Sequence, residues 1–171
     1  RGKCSACGTA ISWRYPLVEL ATALLTTAVL VRWGANWNSL AYIALLWALI
    51  TLALIDFDTT LLPDSITLPL LWLGLLWHAA LHPAQLSSAV WGAVVGYLAL
   101  WTVYQGFKLL TGKEGMGFGD FKLLAALGAW FGVAALLPII LLSSICGAVI
   151  GIALQALKLT ERGRPIPFGP F

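Results

Sequence analysis

Six hydrophobic runs, over residues 17–31, 40–55, 66–81, 89–110, 121–133 and 134–157, constrain this chain more than any other feature. Backbone in hydrocarbon must satisfy its own hydrogen bonds, and runs of this kind do so as helices. The expected fold is therefore all-α, a polytopic integral membrane protein of about six transmembrane helices. Several runs are shorter than the roughly 20 residues a straight span prefers. The last two form a stretch from Phe121 to Lys158 that is two spans long, with Gly132 and Pro138 near its middle to allow a turn. Lysine and arginine support that division. With six spans, Arg1, Lys3, Arg14, Lys108, Lys113, Lys122, Lys158, Arg162 and Arg164 fall on one side and only Arg32 on the other. Positive residues stay cytoplasmic, so the N-terminus is expected there. Trp33, Trp37 and Trp130 then lie near the opposite face, where aromatic anchors are common. Only 10% of residues are charged, against roughly 25% in a soluble domain. The net charge of +3 follows membrane topology, so the lipid bilayer is an expected partner and nucleic acid is not.

Against that background the acids stand out. There are seven, Glu19, Asp56, Asp58, Asp64, Glu114, Asp120 and Glu161, and three of them fall between residues 56 and 64. A carboxylate at membrane depth is costly unless it is paired, hydrated or used. Asp56 ends the second run, at the negative end of a helix dipole, while Asp120 follows glycines and precedes the fifth run, at a positive end. The two fields have opposite sign, which assigns the proton to Asp56 and the charge to Asp120, the asymmetry an acid–base pair needs. If the two share a site they titrate as a unit. Gly117 and Gly119 allow unusual dihedrals or a close approach to an extended substrate. The plain alternative is that Asp120 only caps a helix and Asp56 only ends one. Between the two acids, Asp64 or Ser65 is expected to cap the third span, and Pro69 is tolerable only early in it. Asp58 has no helical duty and could add negative potential for a cationic substrate, or be merely solvated.

Cys4 and Cys7 form a Cys-x-x-Cys, half of a four-thiolate zinc site or else an unligated or redox pair. Cys146 reads as a small buried apolar residue. His78 and His82 are four apart, at a metal-compatible spacing, but sit away from the acids, so packing is the expected role. Gly92-x-x-x-Gly96 and Gly147-x-x-x-Gly151 suit close helix packing. No G-x-S-x-G, H-E-x-x-H or P-loop is present.

Four blocks carry a resemblance: Arg14-Tyr-Pro-Leu-Val-Glu19, Leu-Ile-Asp56-Phe-Asp58-Thr-Thr-Leu-Leu-Pro-Asp64-Ser-Ile-Thr-Leu-Pro69, Gly-Met-Gly117-Phe-Gly119-Asp120-Phe-Lys-Leu and Ile166-Pro-Phe-Gly-Pro-Phe171. In this order they resemble bacterial prepilin peptidase, the type IV leader peptidase family of Gly-x-Gly-Asp intramembrane aspartic proteases. The resemblance implies an inner-membrane, multi-pass endopeptidase with its active site facing the cytoplasm. It would cut the basic leader from type IV prepilins or pseudopilins after a glycine. Asp56 and Asp120 match the catalytic pair, and Cys4 and Cys7 match half of a cytoplasmic four-cysteine motif, a tentative zinc site. Gly117, Gly119, Asp58 and Asp64 are the candidate substrate-binding or backbone residues. No cofactor is expected for proteolysis. Many family members also N-methylate the new terminus with S-adenosylmethionine, a function tied to the cysteine region.

Residues 1–16 are expected to be the remnant of that region and 17–171 the transmembrane peptidase domain. The chain is expected to be truncated at both ends. A proton-coupled transporter could use the same acids in a relay, although no internal repeat of the kind common in transporters is evident.

Overall fold

The computed structural model describes residues 2, 7–9, 12–112 and 116–156. Cys4, Lys113, Glu114 and the 166–171 block lie outside the described residues. Among the described residues there are six α-helices and no strand: α1 (Arg14–Trp33), α2 (Trp37–Thr59), α3 (Asp64–Leu81), α4 (Leu86–Thr111), α5 (Phe118–Phe131) and α6 (Leu136–Ala156). The all-α expectation holds. Five stretches, Arg14–Trp33, Trp37–Thr59, Asp64–Leu81, Pro83–Thr111 and Val133–Ala153, are long and apolar enough to cross a membrane. α5 differs. Its 14 residues reach about 21 Å at 1.5 Å per residue, short of the roughly 30 Å hydrocarbon core. The fifth run is thus a helix of another kind, surrounded by protein.

The chain divides into two compact units, residues 1–50 and 51–171. In the first, Asn36 builds the turn into α2: its Nδ2 donates to the Trp33 carbonyl at 2.6 Å and its Oδ1 accepts the Ser39 N–H at 3.0 Å. That is an N-cap, and it supplies one of the helix's orphan donors. Higher up, Trp47 Nε1 donates to Thr26 Oγ1 at 3.0 Å. No residue of α1 is buried, and Leu17, Leu20, Leu24 and Leu25 all stand outward. Surface this apolar suits lipid and not water. Trp33 and Trp37 are exposed, in keeping with anchors at an interface.

In the second unit α3 and α4 both pack on α5. Eight of α5's residues, Phe121, Leu123, Leu124, Ala125, Ala126, Gly128, Ala129 and Trp130, are buried, so this short helix is the core. Small side chains let its neighbours come close. A Cβ on Gly92 of α4 would strike the Gly128 carbonyl, and one on Gly96 would lie 2.7 Å from the Leu124 carbonyl oxygen. The Gly92-x-x-x-Gly96 pair is therefore a packing device within the chain.

At the far end, Trp130 is 4% exposed and its Nε1 donates to the Leu70 carbonyl on α3 at 2.8 Å. Gly74 makes that possible, because a Cβ there would lie 2.7 Å from Trp130 Cδ1. Trp130 is thus a packing residue and not the interfacial anchor expected of it. Trp77 stacks on Trp130 with ring centroids 5.5 Å apart and meets His78 and His82 edge-on. His78 Nδ1 lies 2.9 Å from the Gly74 carbonyl oxygen, which supports the packing reading of the histidines. Cys146 is corrected, since it is exposed on α6. The outer face of a helix in lipid is as apolar as a core, so hydropathy could not separate the two positions.

Candidate active site

α2, α3, α4 and α5 run so that four of their ends meet at one end of the second unit. α2 closes there with Asp56 and Asp58, and the connection to α3 is Thr60 to Pro63. Thr60 has φ 56°, a left-handed conformation that a β-branched residue adopts at a cost of roughly 1–3 kcal/mol. Its N–H donates to the Asp56 carbonyl at 2.8 Å, which closes the last turn beneath the acid. Pro63 then holds the N-cap position of α3 in extended backbone, with no side-chain cap bond. Its carbonyl accepts the Ile66 and Thr67 N–H groups at 3.1 and 3.2 Å.

Asp64 is therefore the first residue of α3 and not its cap, contrary to expectation. Its carboxylate is taken instead by Lys122 of α5, whose Nζ donates to Oδ1 at 2.6 Å and to Oδ2 at 2.7 Å. Asp120 is likewise not a cap. Gly117 occupies that position, with φ −79° and ψ 146°, and Asp120 lies in the first turn of α5, where the dipole still favours negative charge.

The two glycines of Gly117-Phe-Gly119-Asp120 do different things. A Cβ on Gly119 would lie 2.7 Å from Leu62 Cβ, so this glycine lets α5 begin directly against the α2–α3 connection. Gly117 has ordinary dihedrals, and among the described residues the one atom near its virtual Cβ is Asp120 Oδ2 at 4.0 Å. Phe118, half exposed, leans on Tyr104 of α4 with ring centroids 5.3 Å apart. Next to them Val103, Tyr104, Phe107 and Met116 line an apolar cavity of about 150 Å³.

Asp56 is buried, at 4% exposure, while Asp120 is half-buried. Asp120 precedes the apolar run of α5 and lies outside the membrane-spanning segments. Its carboxyl is raised from 3.8 to about 6, first by burial and then by the negative charge of Asp56. Asp120 therefore senses Asp56, as a shared site requires. Burial opposes the helix dipole at this position and outweighs it. Asp120 remains mostly ionised at pH 7, at about ten to one. Asp58, two residues beyond Asp56, is exposed.

A raised carboxyl also fixes a sign. The folded state binds a proton more tightly than the unfolded chain between about pH 4 and 6, so ionised Asp120 costs stability at higher pH. Asp120→Asn should therefore raise the melting temperature in detergent at pH 7, by an amount equivalent to about 1 kcal/mol after allowing for the group's solvent contact. The gain should shrink as pH falls from 6 to 4. An Asn variant less stable at pH 7 would show that the carboxylate is held by favourable bonds instead.

Of the candidate residues, the structure brings Asp56, Asp120, Gly117, Gly119 and Asp64 to one helix-end cluster, with Asp58 at its solvent edge. Cys7, in the first unit, is exposed, with its Sγ 3.2 Å from Thr9 Oγ1. The described residues contain no group of three His, Cys, Asp or Glu placed to hold a metal. Cys4, the other thiol of the Cys-x-x-Cys pair, lies outside the described residues. Lys122 is the residue that sequence reasoning passed over. Its one signal was its place two residues after Asp120, and nothing in the sequence tied it to Asp64.

The type IV leader peptidase family model matches residues 43–152, and the model of the bacterial A24 peptidase N-terminal domain matches residues 1–33. The chain is 57% identical over its full length to a prepilin leader peptidase/N-methyltransferase of Stutzerimonas stutzeri. It is 56% identical to the one of Aeromonas hydrophila, and 51% identical, over 99% of the chain, to the one of Neisseria gonorrhoeae. It spans 59%, 59% and 58% of the length of these three relatives. No solved structure matches. With the family model covering well over half of its residues, the chain belongs to the type IV leader peptidase family.

Proposed function

We propose that this chain carries the proteolytic centre of a membrane aspartic endopeptidase that cuts the basic leader from type IV prepilins or pseudopilins after glycine. The observation that carries the reading is the coupled pair, buried Asp56 and part-buried Asp120, at one end of a membrane-embedded helix cluster. In hydrolysis, one carboxyl of the pair, ionised, takes a proton from water as it attacks the scissile carbonyl, while the other, protonated, supplies one to the carbonyl oxygen. The roles then exchange as the leaving amine is protonated. Gly117 leaves backbone room beside Asp120 for an extended peptide. The exposed Asp58 offers negative charge to a basic leader, and the cavity beside Phe118 has room for one apolar side chain of the segment that follows.

In this reading residues 17–171 form the peptidase domain in the inner membrane, with the helix ends that carry both acids facing the cytoplasm, and residues 1–16 belong to the cysteine-motif region. The relatives are named as N-methyltransferases as well as leader peptidases. S-adenosylmethionine would serve that activity, and no step of proteolysis needs it.

The test is cleavage in liposomes of a synthetic peptide with a Lys/Arg-rich leader, a glycine junction and a hydrophobic stretch, with product masses read at the junction. A single cut after glycine supports the proposal. An intact peptide accompanied by pH-driven ion flux would support the transporter reading instead.

A further inference from the structure

Asp120 is flanked by two contacts with the same short segment. One residue before it, Gly119 lies against Leu62, closer than any side chain would allow. Two residues after it, Lys122 holds both oxygens of Asp64. Leu62 and Asp64 bracket Pro63, the rigid N-cap of α3, and Leu62 is six residues beyond Asp56 on the same piece of chain. The first turn of α5 is thus gripped, on both sides of its acid, by the connection that leads from the other acid.

The Lys122–Asp64 pair sits partly in solvent, with side-chain exposures of 27% and 55%. Ion pairs so placed add little to stability. What this one does add is register: a bidentate contact fixes how far the start of α5 stands from the start of α3. Resting on the peptidase reading above, we infer that Lys122 and Asp64 are positioning residues, whose ionic strap holds Asp120 at its working distance from Asp56.

Release of the strap should let the start of α5 move off the α2–α3 connection and weaken the field of Asp56 at Asp120. Among the described residues, the titratable and charged groups at this end are Asp56 and Asp58 on α2, Asp64 on α3, Tyr104 and Lys108 on α4, and Lys122 on α5 itself. A neutral, shape-conserving double variant, Asp64→Asn with Lys122→Met, removes the strap without changing net charge and so leaves the separation of the acids as the variable. A misplacement of about 1 Å at a catalytic group costs up to roughly 100-fold.

The experiment is the pH profile of kcat and KM, in liposomes, for the leader peptide described above. The expected result for the double variant is a fall in kcat of roughly 10- to 100-fold, with KM changed by less than about threefold and the acid limb moved to lower pH. Lys122→Arg, which keeps a donor fork for the carboxylate, should stay within about fivefold of the parent kcat, with the limb unmoved. A loss of folded protein would scale the whole profile without moving its limb, so a fall in kcat with the limb in place overturns the inference. So does a double variant within about twofold of the parent. If the parent chain cleaves nothing, or Asp120→Asn cleaves as well as the parent, it is the peptidase reading that fails and not the strap.

Discussion

Asp56→Asn and Asp120→Asn should each reduce cleavage of the leader peptide by roughly 1,000-fold or more, and the double variant should lose little beyond either single change. General acid–base contributions reach about 10²–10⁴ apiece, and groups that act as a unit are strongly non-additive when removed. Asparagine is the informative replacement because it keeps the shape of the side chain and removes only the proton chemistry. Insertion and folding should survive it. Removing the half-buried carboxylate of Asp120 relieves a cost to the folded state, so Asp120→Asn is expected to be the more stable protein at pH 7. Activity and stability then move in opposite directions, an outcome that no general loss of folding can imitate. Full cleavage by either correctly inserted variant would remove that acid from the mechanism.

How much of this was written in the sequence depends on which physical signal each residue leaves. Burial in lipid writes itself in hydropathy, so six helices could be read, and the acids at the ends of α2 and α5 stood out because charge is rare in such a chain. Position relative to protein neighbours is not written there. Hydrocarbon and protein core are equally apolar, so hydropathy reads Cys146 as core and Trp130 as interfacial, whereas the first is exposed and the second buried.

Local rules failed in a similar way at Asp64 and Asp120. Each is a strong N-cap residue by type, yet the caps are Pro63 and Gly117. Asp64 is claimed by a lysine 58 residues away, a pairing that no local window contains. Burial of Asp120, which outweighs the helix dipole, is also a tertiary property. The one legible hint of α5's central place was its run of small residues, Ala125, Ala126, Gly128 and Ala129, in a segment too short to span.

That run sets the second large effect, which is on packing. Gly92→Ala and Gly128→Ala should each destabilise the protein by about 2–4 kcal/mol, at or beyond the upper end of ordinary overpacking. A Cβ on either residue meets the other's backbone carbonyl, and the Gly92 position also lies 2.9 Å from the Gly132 carbonyl carbon. A flexible side chain could turn aside, but backbone cannot, so α4 and α5 must separate. α5 has no slack for that movement, since Trp130 ties its end to Leu70 and Lys122 ties its start to Asp64.

Separation should therefore tilt α5 or break one of those ties, and in either case Asp120 moves with the helix. Gly106→Ala is the internal control. It lies in the same helix α4, with no described atom within 4 Å of where its Cβ would stand, so alanine should be neutral or stabilising by up to about 1 kcal/mol through helix propensity alone. Unfolding of the three variants in detergent separates the two effects. If Gly92→Ala were as stable as Gly106→Ala, the close α4–α5 contact would not exist in the membrane, and with it would go the reason a 14-residue helix can form the core around which the acids are arranged.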